Sequence, residues 1–580
     1  MKKIYILLTI AVAMLFTGCS TIGNGDKGKY PKKQDSNSLA VFISDNQHLE
    51  DYGHGILAQG RAAASITTTA RRSALNNLFG LDVIHLVESI ERNKSGKRLP
   101  IIHLGDALNN SCSTEMDAFV SSMEKINQDW FIAPGNHDAY YLGISYPEKF
   151  LRGYDGKILS QRNGWGDLCR PWRETDRWTV PTTRDDMERF ILDKRDFIKR
   201  YLAEKELISK GKKIKETGSI ECSNGNSGNL NRICWDLSVE GEMDVWNNFV
   251  VQEILLGDAQ NSKGIRIILV DTTAFTKHPQ DFFSIETEPP LYGQIIPGQK
   301  RIIEDWLKEN RSAGITTILA GHHPYSNLVK DAREIMNGWA EKGFFGTYAS
   351  AHTHEGKNMP HKKFLEINIG SLIDDPVEYA VLEKLSNDSE SQFDIRRVPL
   401  KSKDVCDPGL LKRHGSDESI YELAERLHKG SRKGKRRSLA QEAETYIALI
   451  NLGVFKFKEK PTPVCYRQYT WKCDEKKEGE GECAGKNALE NCGESDLNSF
   501  KNLKILRNED DIKMRLINLI PKLKKHRGRY LYEIEGSRLL AAVREYFARN
   551  EKTEEGQRIK ACLSIIGSEI KGKGVFFWGI

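Results

Sequence analysis

Asn136, His137 and Asp138 follow the apolar run at residues 131–134 across a single glycine, Gly135. They offer an amide oxygen, an imidazole and a carboxylate, groups that ligate a cation or move a proton. Gly-Asn is also ordinary turn chemistry, so a tetrapeptide of this kind gains weight only in company. Company is present. Asp45 and Gln47 follow the apolar run 39–44, Asp106 follows Gly105 after the run 99–104, His322 follows Gly321 after 316–320, and His352 and His354 follow 346–351. A strand that stops at a glycine leaves the next side chains on the carboxyl edge of its sheet, where open α/β sheets bind ligands. In extended chain Asp45 and Gln47 project to the same side, because side chains alternate.

The elements that must position these groups read as alternating strands and helices. Strand-type runs at 39–44, 99–104 and 131–133 are separated by apolar residues at helical spacing over 62–92 and by a helix after Met116. This is the βαβ alternation of an α/β protein. Regularity breaks from about residue 140 to 241, a stretch holding Trp165, Trp172, Trp178, a charged helix near 184–210 and a loop bracketed by Cys222 and Cys234. A long insertion beside an active edge is commonly a functional lid, and a structural subdomain is the other reading. Sheet patterning resumes at 246–256 and 264–271, and an amphipathic helix at 299–311 carries Trp306 toward the core. After Pro399 the composition shifts. Residues 401–580 mix helical patterns at 418–428, 439–451 and 538–550 with a basic run at 429–437 and a low-complexity stretch at 474–485. Such a charge run reads as a solvated face, or as a contact with anionic headgroups if the chain is held at a membrane.

Taken in order, Asp-x-Gln, Gly-Asp, Gly-Asn-His-Asp, His-x-Pro and His-x-His resemble the motifs of the calcineurin-like metallophosphoesterase superfamily over about residues 39–399. The resemblance implies an α/β fold: a double β-sandwich flanked by helices, here with an inserted subdomain and a mainly helical C-terminal region. It also implies two divalent metal ions. Asp106 would bridge them, with Asp45 and His354 on one ion and Asn136, His322 and His352 on the other. Mixed oxygen and nitrogen donors suit manganese, iron or zinc. His137 would donate a proton to the leaving oxygen or clamp the phosphoryl group, and Asp138 would orient His137. This chain departs from the family at the first motif, where the usual histidine is Gln47. The alternation of side chains favours Gln47 over His48 as the ligand, and an amide oxygen is the weaker donor for these metals. His323 and His103 read as partners or core groups, and Gly370-Ser371 as a turn supporting the site.

The activity implied is hydrolysis of a phosphate mono- or diester by attack of a metal-activated hydroxide. The motifs do not choose the ester. Two other readings stand beside it: a nuclease of the same superfamily, which needs a basic groove leading to the metals, and a catalytically decayed binding lipoprotein.

Composition sets outer bounds. A chain of 580 residues exceeds what one core usually serves. Lys+Arg 86 against Asp+Glu 80 gives a net charge of only +6, a mixed surface rather than that of a dedicated nucleic-acid binder. Residues 1–18, with Lys2 and Lys3 before an apolar stretch and Phe16-Thr17-Gly18-Cys19 at its end, resemble a bacterial lipoprotein signal. Cys19 would then carry the lipid, residues 19–38 would form a flexible tether, and the protein would sit at the outer membrane or periplasmic face. Eleven cysteines less Cys19 leave ten, an even number suited to disulfides in that compartment. Cys222 and Cys234 are placed for a local bridge. Cys406, Cys465, Cys473, Cys483 and Cys492 gather in the last third, and no short paired-cysteine spacing of a zinc site occurs.

Overall fold

The computed structural model describes residues 37–48, 57–58, 74–91, 98–109, 111–126, 129–139, 151–152, 192–208, 220–224, 231–237, 247–256, 264–276, 291–385, 393–406, 439–451, 463–467, 503–525, 536, 539–540, 542–547 and 554–572. Residues 1–36, including Cys19, lie outside that set. So do Trp165, Trp172 and Trp178, the helical pattern 418–428, the basic run 429–437 and the low-complexity stretch 474–485.

The first half runs β1 (Asn37–Ile43), β2 (Leu57–Ala58), α1 (Ala74–Ile90), β3 (Ile101–His103), α2 (Ser113–Lys125), β4 (Trp130–Ile132), α3 (Asn136–Ala139), β5 (Leu151–Arg152), α4 (Lys194–Glu204), β6 (Glu221–Asn224) and β7 (Arg232–Asp236). Then come β8 (Phe249–Leu256), β9 (Ile265–Val270), α5 (Pro297–Ser312), β10 (Thr316–Gly321), α6 (Lys330–Glu341), β11 (Thr347–Ser350), β12 (Lys357–Pro360), β13 (Leu365–Asn368), β14 (Glu378–Lys384) and β15 (Phe393–Pro399). The tail contributes α7 (Ser402–Val405), α8 (Leu439–Asn451), β16 (Val464–Arg467), β17 (Leu503–Leu506), α9 (Glu509–Lys525) and α10 (Glu554–Gly572).

Two large sheets face one another. One has the order β15-β14-β1-β3-β4 and the other β12-β13-β11-β10-β9-β8-β7-β6. The strands that end in the candidate ligands are parallel within each sheet: β1 with β3, β3 with β4, and β9, β10 and β11 in succession. Their carboxyl ends therefore share one edge.

Period-two alternation assigns each strand residue to a layer. Phe42, Ile102 and Phe131 point inward against Ile267, Leu269, Ile318 and Ala349 of the opposing sheet. Their neighbours Val41, Ile43, Ile101 and Ile132 point outward, beneath Val83 and Val87 of α1, Phe119 of α2 and Phe197 and Tyr201 of α4. A third layer covers the far face of the larger sheet with Ile303, Trp306 and Leu307 of α5 and Met336 and Trp339 of α6, so the helix carrying Trp306 is core packing. This is the double sandwich flanked by helices that the motifs imply.

Two stretches differ from the sequence pattern. The larger sheet resumes at β6 rather than near residue 246, because β6 and β7 pair antiparallel with Cys222 directly opposite Cys234, and those two cysteines form a disulfide. The charged helix of the insertion is α4, and in its described part it is no lid: Phe197, Ile198, Tyr201 and Leu202 are fully buried in the core of the smaller sheet. The tail also divides. Helices α8 and α9 and strand β17 build a separate cluster around Ala443, Tyr446, Leu506, Leu516 and Val543. Helix α10 instead lies along α1, with Ala561 and Ile565 in the outer core of the smaller sheet, and Cys562 joins Cys406 in a disulfide. No described helix is long and apolar enough to cross a membrane.

Candidate metal centre

Every strand that the sequence marks delivers its polar residue to one edge. Beyond β1 lie Asp45 and Gln47, beyond β3 Asp106, beyond β4 Asn136 and His137, beyond β10 His322, and beyond β11 His352 and His354. Two glycines permit the crowding. A Cβ on Gly105, whose φ is +103°, would meet Gly135 and His322 Nδ1 at 2.8 Å, and a Cβ on Gly135 would collide with the Asp106 carboxylate. Among the described residues, seven other than glycine have positive φ, and five of them are Asp45, Gln47, Asp106, His352 and His354. Left-handed backbone costs an L-residue roughly 1–2 kcal/mol. Such strain collects where the surrounding structure must aim a side chain.

The donors converge. Ligand atoms of Asp45, Asp106 and His322 lie within 4.8 Å of one another, as do those of His322, His323 and His352. His322 Nδ1 meets the carbonyl of Leu104 at 2.9 Å. A carbonyl only accepts, so Nδ1 carries a proton. Nε2 of the same ring lies 2.9 Å from Asn136 Oδ1, 3.2 Å from His352 Nδ1 and 3.4 Å from Asp106 Oδ1. A buried cluster of a carboxylate, an amide oxygen and two imidazoles offers oxygen and nitrogen donors to a cation. The second ring nitrogens are also held as metal-ligating histidines hold them: His322 on the Leu104 carbonyl, and His354 Nδ1 on Asp374 Oδ2 at 2.7 Å. The set of carboxylates, imidazoles and an amide therefore fits a pair of transition-metal ions.

The electrostatics divide the site in two. Burial works against ionisation of Asp45 and Asp106, yet neighbouring histidines hold both carboxyls below the usual range, His354 foremost at Asp45 and His322 at Asp106. Burial also opposes a charge on His354, but the Asp45 carboxylate and the hydrogen bonds from Asp374 and Asp45 outweigh it and raise its pKa to about 10. His352 goes the other way. Burial first and the His322 ring second push it down to about 3. The imidazolium of His354 thus supplies the positive charge that faces the Asp45 carboxylate.

Gln47 Nε2 donates to Asp106 Oδ2 at 2.9 Å, which puts the Gln47 amide against the Asp106 carboxylate. His48 is tied through its backbone to Ala107 and Asn109. His103 is a core group, as read from sequence: Nε2 donates to Asn46 Oδ1 at 2.5 Å, Nδ1 accepts from Gly105 N at 3.1 Å, and burial holds its pKa near 3. His323 packs against His322 and His352 with ring centroids 5.0 and 4.7 Å away, and its Nδ1 meets Thr272 Oγ1 at 2.8 Å. Ser371 supports the site as expected, donating to the backbone carbonyl of Asp45 at 2.7 Å.

The expected role of Asp138 needs correction. Its carboxylate accepts from Leu108 N at 2.7 Å and Gly135 N at 2.9 Å, so it ties the 105–108 turn to the 135–138 turn. His137 is oriented instead by its Nδ1, which donates to the Asn109 carbonyl at 2.7 Å, while its backbone N–H donates to Asp106 Oδ1 at 2.8 Å. Burial, and then the Asp106 charge, raise the Asp138 pKa to about 8. Sequence reasoning missed Asn109 and Asp374. Asp374 had one signal, its place three residues beyond the Gly370-Ser371 turn. Asn109 had none, because its carbonyl rather than its side chain does the work.

Comparison with known proteins follows from this geometry. Residues 41–356, more than half of the chain, match the model of the calcineurin-like phosphoesterase family. Among solved structures, a dimetal phosphatase from Danio rerio aligns at 10% identity with a TM-score of 0.29, covering 62% of this chain and 98% of its own. A putative 5′-nucleotidase from Staphylococcus aureus, in complex with alpha-ketoglutarate, aligns at 11% identity and 0.27, covering 75% and 68%. The sulfate thiohydrolase SoxB of Thermus thermophilus, in complex with glycerol, aligns at 11% and 0.29, covering 77% and 71%. Likeness at these scores carries no argument of its own. No curated protein matches. The family match and the converging donors agree: this chain belongs to the calcineurin-like phosphoesterase family and is a metal-dependent phosphoester hydrolase.

Proposed function

We propose that the chain hydrolyses a phosphate mono- or diester with two divalent ions, manganese, iron or zinc, held by Asp45, Gln47, Asp106, Asn136, His322, His352 and His354. The observation that carries this reading is the convergence of His322 Nε2 with Asn136 Oδ1, His352 Nδ1 and Asp106 Oδ1, and of Asp45 with Asp106 and His322. When bound, the ions supply Lewis acidity at the phosphoryl oxygens and at the attacking water. The protein's own groups do the rest. Asp106, ionised and fully buried, fixes charge at the centre, and the Gln47 amide and His137 N–H hold its two oxygens in place. His137 is partly open to solvent, with Nε2 4.0 Å from Asp106 Oδ2 and Nδ1 anchored on Asn109. From there Nε2 delivers a proton to the leaving oxygen.

The test is metal analysis of purified protein followed by turnover of p-nitrophenyl phosphate against its bis ester, with His137→Ala as the control. Two ions per chain and a rate that collapses in the variant are expected. Less than one ion after manganese loading defeats the reading and favours a binding protein.

We further propose that Cys19 carries a lipid that tethers the enzyme to a bacterial membrane. The basic and apolar residues before Cys19 support this, and so do the disulfides Cys222–Cys234 and Cys406–Cys562, which suit an oxidising compartment. Detergent-phase partitioning that Cys19→Ala leaves unchanged rules the anchor out.

A further inference from the structure

Helix α10 lies beyond the residues matched to the family, yet it is bonded to the loop behind His354. Ser568 Oγ donates to the Ile373 carbonyl at 2.6 Å. Asn76 of α1 fixes that hydroxyl, with Nδ2 2.7 Å from Ser568 Oγ and 2.9 Å from the Ser564 carbonyl. Asn76, Ser564 and Ser568 are all buried. From the opposite side, Ser371 Oγ accepts from Ile373 N at 3.0 Å and Asp374 N at 3.1 Å. Ile373 is itself wedged against α1, where a Cβ on Gly80 would come within 3.1 Å of its Cγ2. The peptide that carries Asp374 is thus gripped by the tail on one side and by the strand-end turn on the other. Asp374 in turn holds His354 Nδ1 at 2.7 Å, and His354 Nε2 stands 3.1 Å from Asp45 Oδ1. The helix is pinned in register by the Cys406–Cys562 disulfide and by Glu569, which accepts from Ser402 N at 2.7 Å and Ser402 Oγ at 2.6 Å.

We propose that the tail helix is a working part of the metal site and that Ser568 is a positioning residue: through Ile373 it sets Asp374, and through Asp374 the ring of His354. The proposal rests on His354 being a metal ligand, as in the reading above. A carboxylate behind a ligating histidine fixes its tautomer and ring orientation, and Ser568 acts one step further out. Replacing it with alanine leaves the Ile373 carbonyl buried without that donor, so the loop shifts and His354 loses its aim.

Calorimetric titration of chelator-stripped, full-length protein with manganese tests this. Ser568→Ala is expected to weaken one of the two binding events roughly 10-fold, the low end for groups that orient ligands, and to leave the other unchanged. Ser122→Ala is the control, because it removes a buried hydroxyl of α2 that is bonded to His85 of α1, away from the site; it should lower the melting temperature without altering either affinity. A folded Ser568→Ala with both wild-type affinities overturns the proposal, and so does an equal weakening in Ser122→Ala. Should Ser568→Ala not fold, the Cys406→Ser/Cys562→Ser pair loosens the same helix, and unchanged affinities there overturn it equally. A wild-type chain that binds two ions but cleaves no phosphoester defeats the hydrolase reading alone.

Discussion

Helices α4 and α10 dock on the same outer face of the smaller sheet, yet by opposite chemistry. α4 is anchored by charge: Lys194, fully buried, reaches Asp271 Oδ1 and Thr273 Oγ1, each at 3.1 Å. α10 is anchored by hydroxyls, an amide, a disulfide and the Glu569 carboxylate on Ser402, with no ion pair among these contacts. Their reach differs as well. Ahead of α4, Leu192 N donates to the Ser111 carbonyl at 2.8 Å, and Ser111 lies beside the segment whose Asn109 carbonyl orients His137. α10 ends behind His354. One accessory helix therefore braces the His137 side of the site and the other the His354 side, and solution conditions should separate them.

Direct removal of the braced residues has the largest effect and is the sharpest way to break this division. His137→Ala is expected to lower kcat about 10²–10⁴-fold while two manganese ions per chain remain. His354→Ala is expected to lower the stoichiometry toward one. Equal metal loss in the two variants would show that the sides are not separable.

The anchor of α4 comes next. Lys194→Met leaves the Asp271 carboxylate buried without its cation, a loss of about 3–5 kcal/mol in denaturant unfolding. Lys194→Met with Asp271→Leu should recover most of it, because burying the ion pair is itself costly. The pH dependence follows from the same residue. Burial lowers the Lys194 pKa from 10.5 to about 8, against the attraction of Asp271. Below about pH 8 the lysine is charged in folded and unfolded chains alike, and the cost of burying it is fully present. Between pH 8 and 10.5 the unfolded chain holds more protons, so this residue makes stability rise with pH. Unfolding midpoints of wild type should gain on those of Lys194→Met across that window. A wild-type advantage that shrinks there would reverse the sign and the account of α4. Loosening α10 by Cys406→Ser/Cys562→Ser should show no such slope.

What sequence could reveal follows the same physical line. β1, β3, β4, β10 and β11 were legible because each is a short buried run that stops at a polar group, and the ligands come with the stop. The register of β6 and β7 was not, since strands of four and five residues joined by a disulfide carry little periodicity. The burial of α4 was hidden by its charges, because Lys194 pairs with an aspartate 77 residues away. Asn109 and Ser568 were invisible for a related reason. Their work passes through backbone carbonyls and through loops closed over long separations, as in the 195 residues between Ile373 and Ser568, and no spacing rule records such a contact.

Ser111 gives the smallest effect and the finest discrimination. Its φ is +60°, a conformation an L-residue adopts at a cost of roughly 1–2 kcal/mol, and its Oγ donates to the Asp138 carbonyl at 2.5 Å. Ser111→Ala loses the hydrogen bond and keeps the strain, so stability should fall by about 1 kcal/mol. Ser111→Gly loses the bond but relieves the strain, so its stability should stay close to wild type. If the hydroxyl steers His137 by tying the 109–111 segment to the turn that bears it, both variants lower kcat by the same few-fold factor despite their different stabilities. A glycine variant that regains the wild-type rate along with the stability would mean that α4 supports His137 only by keeping the segment folded.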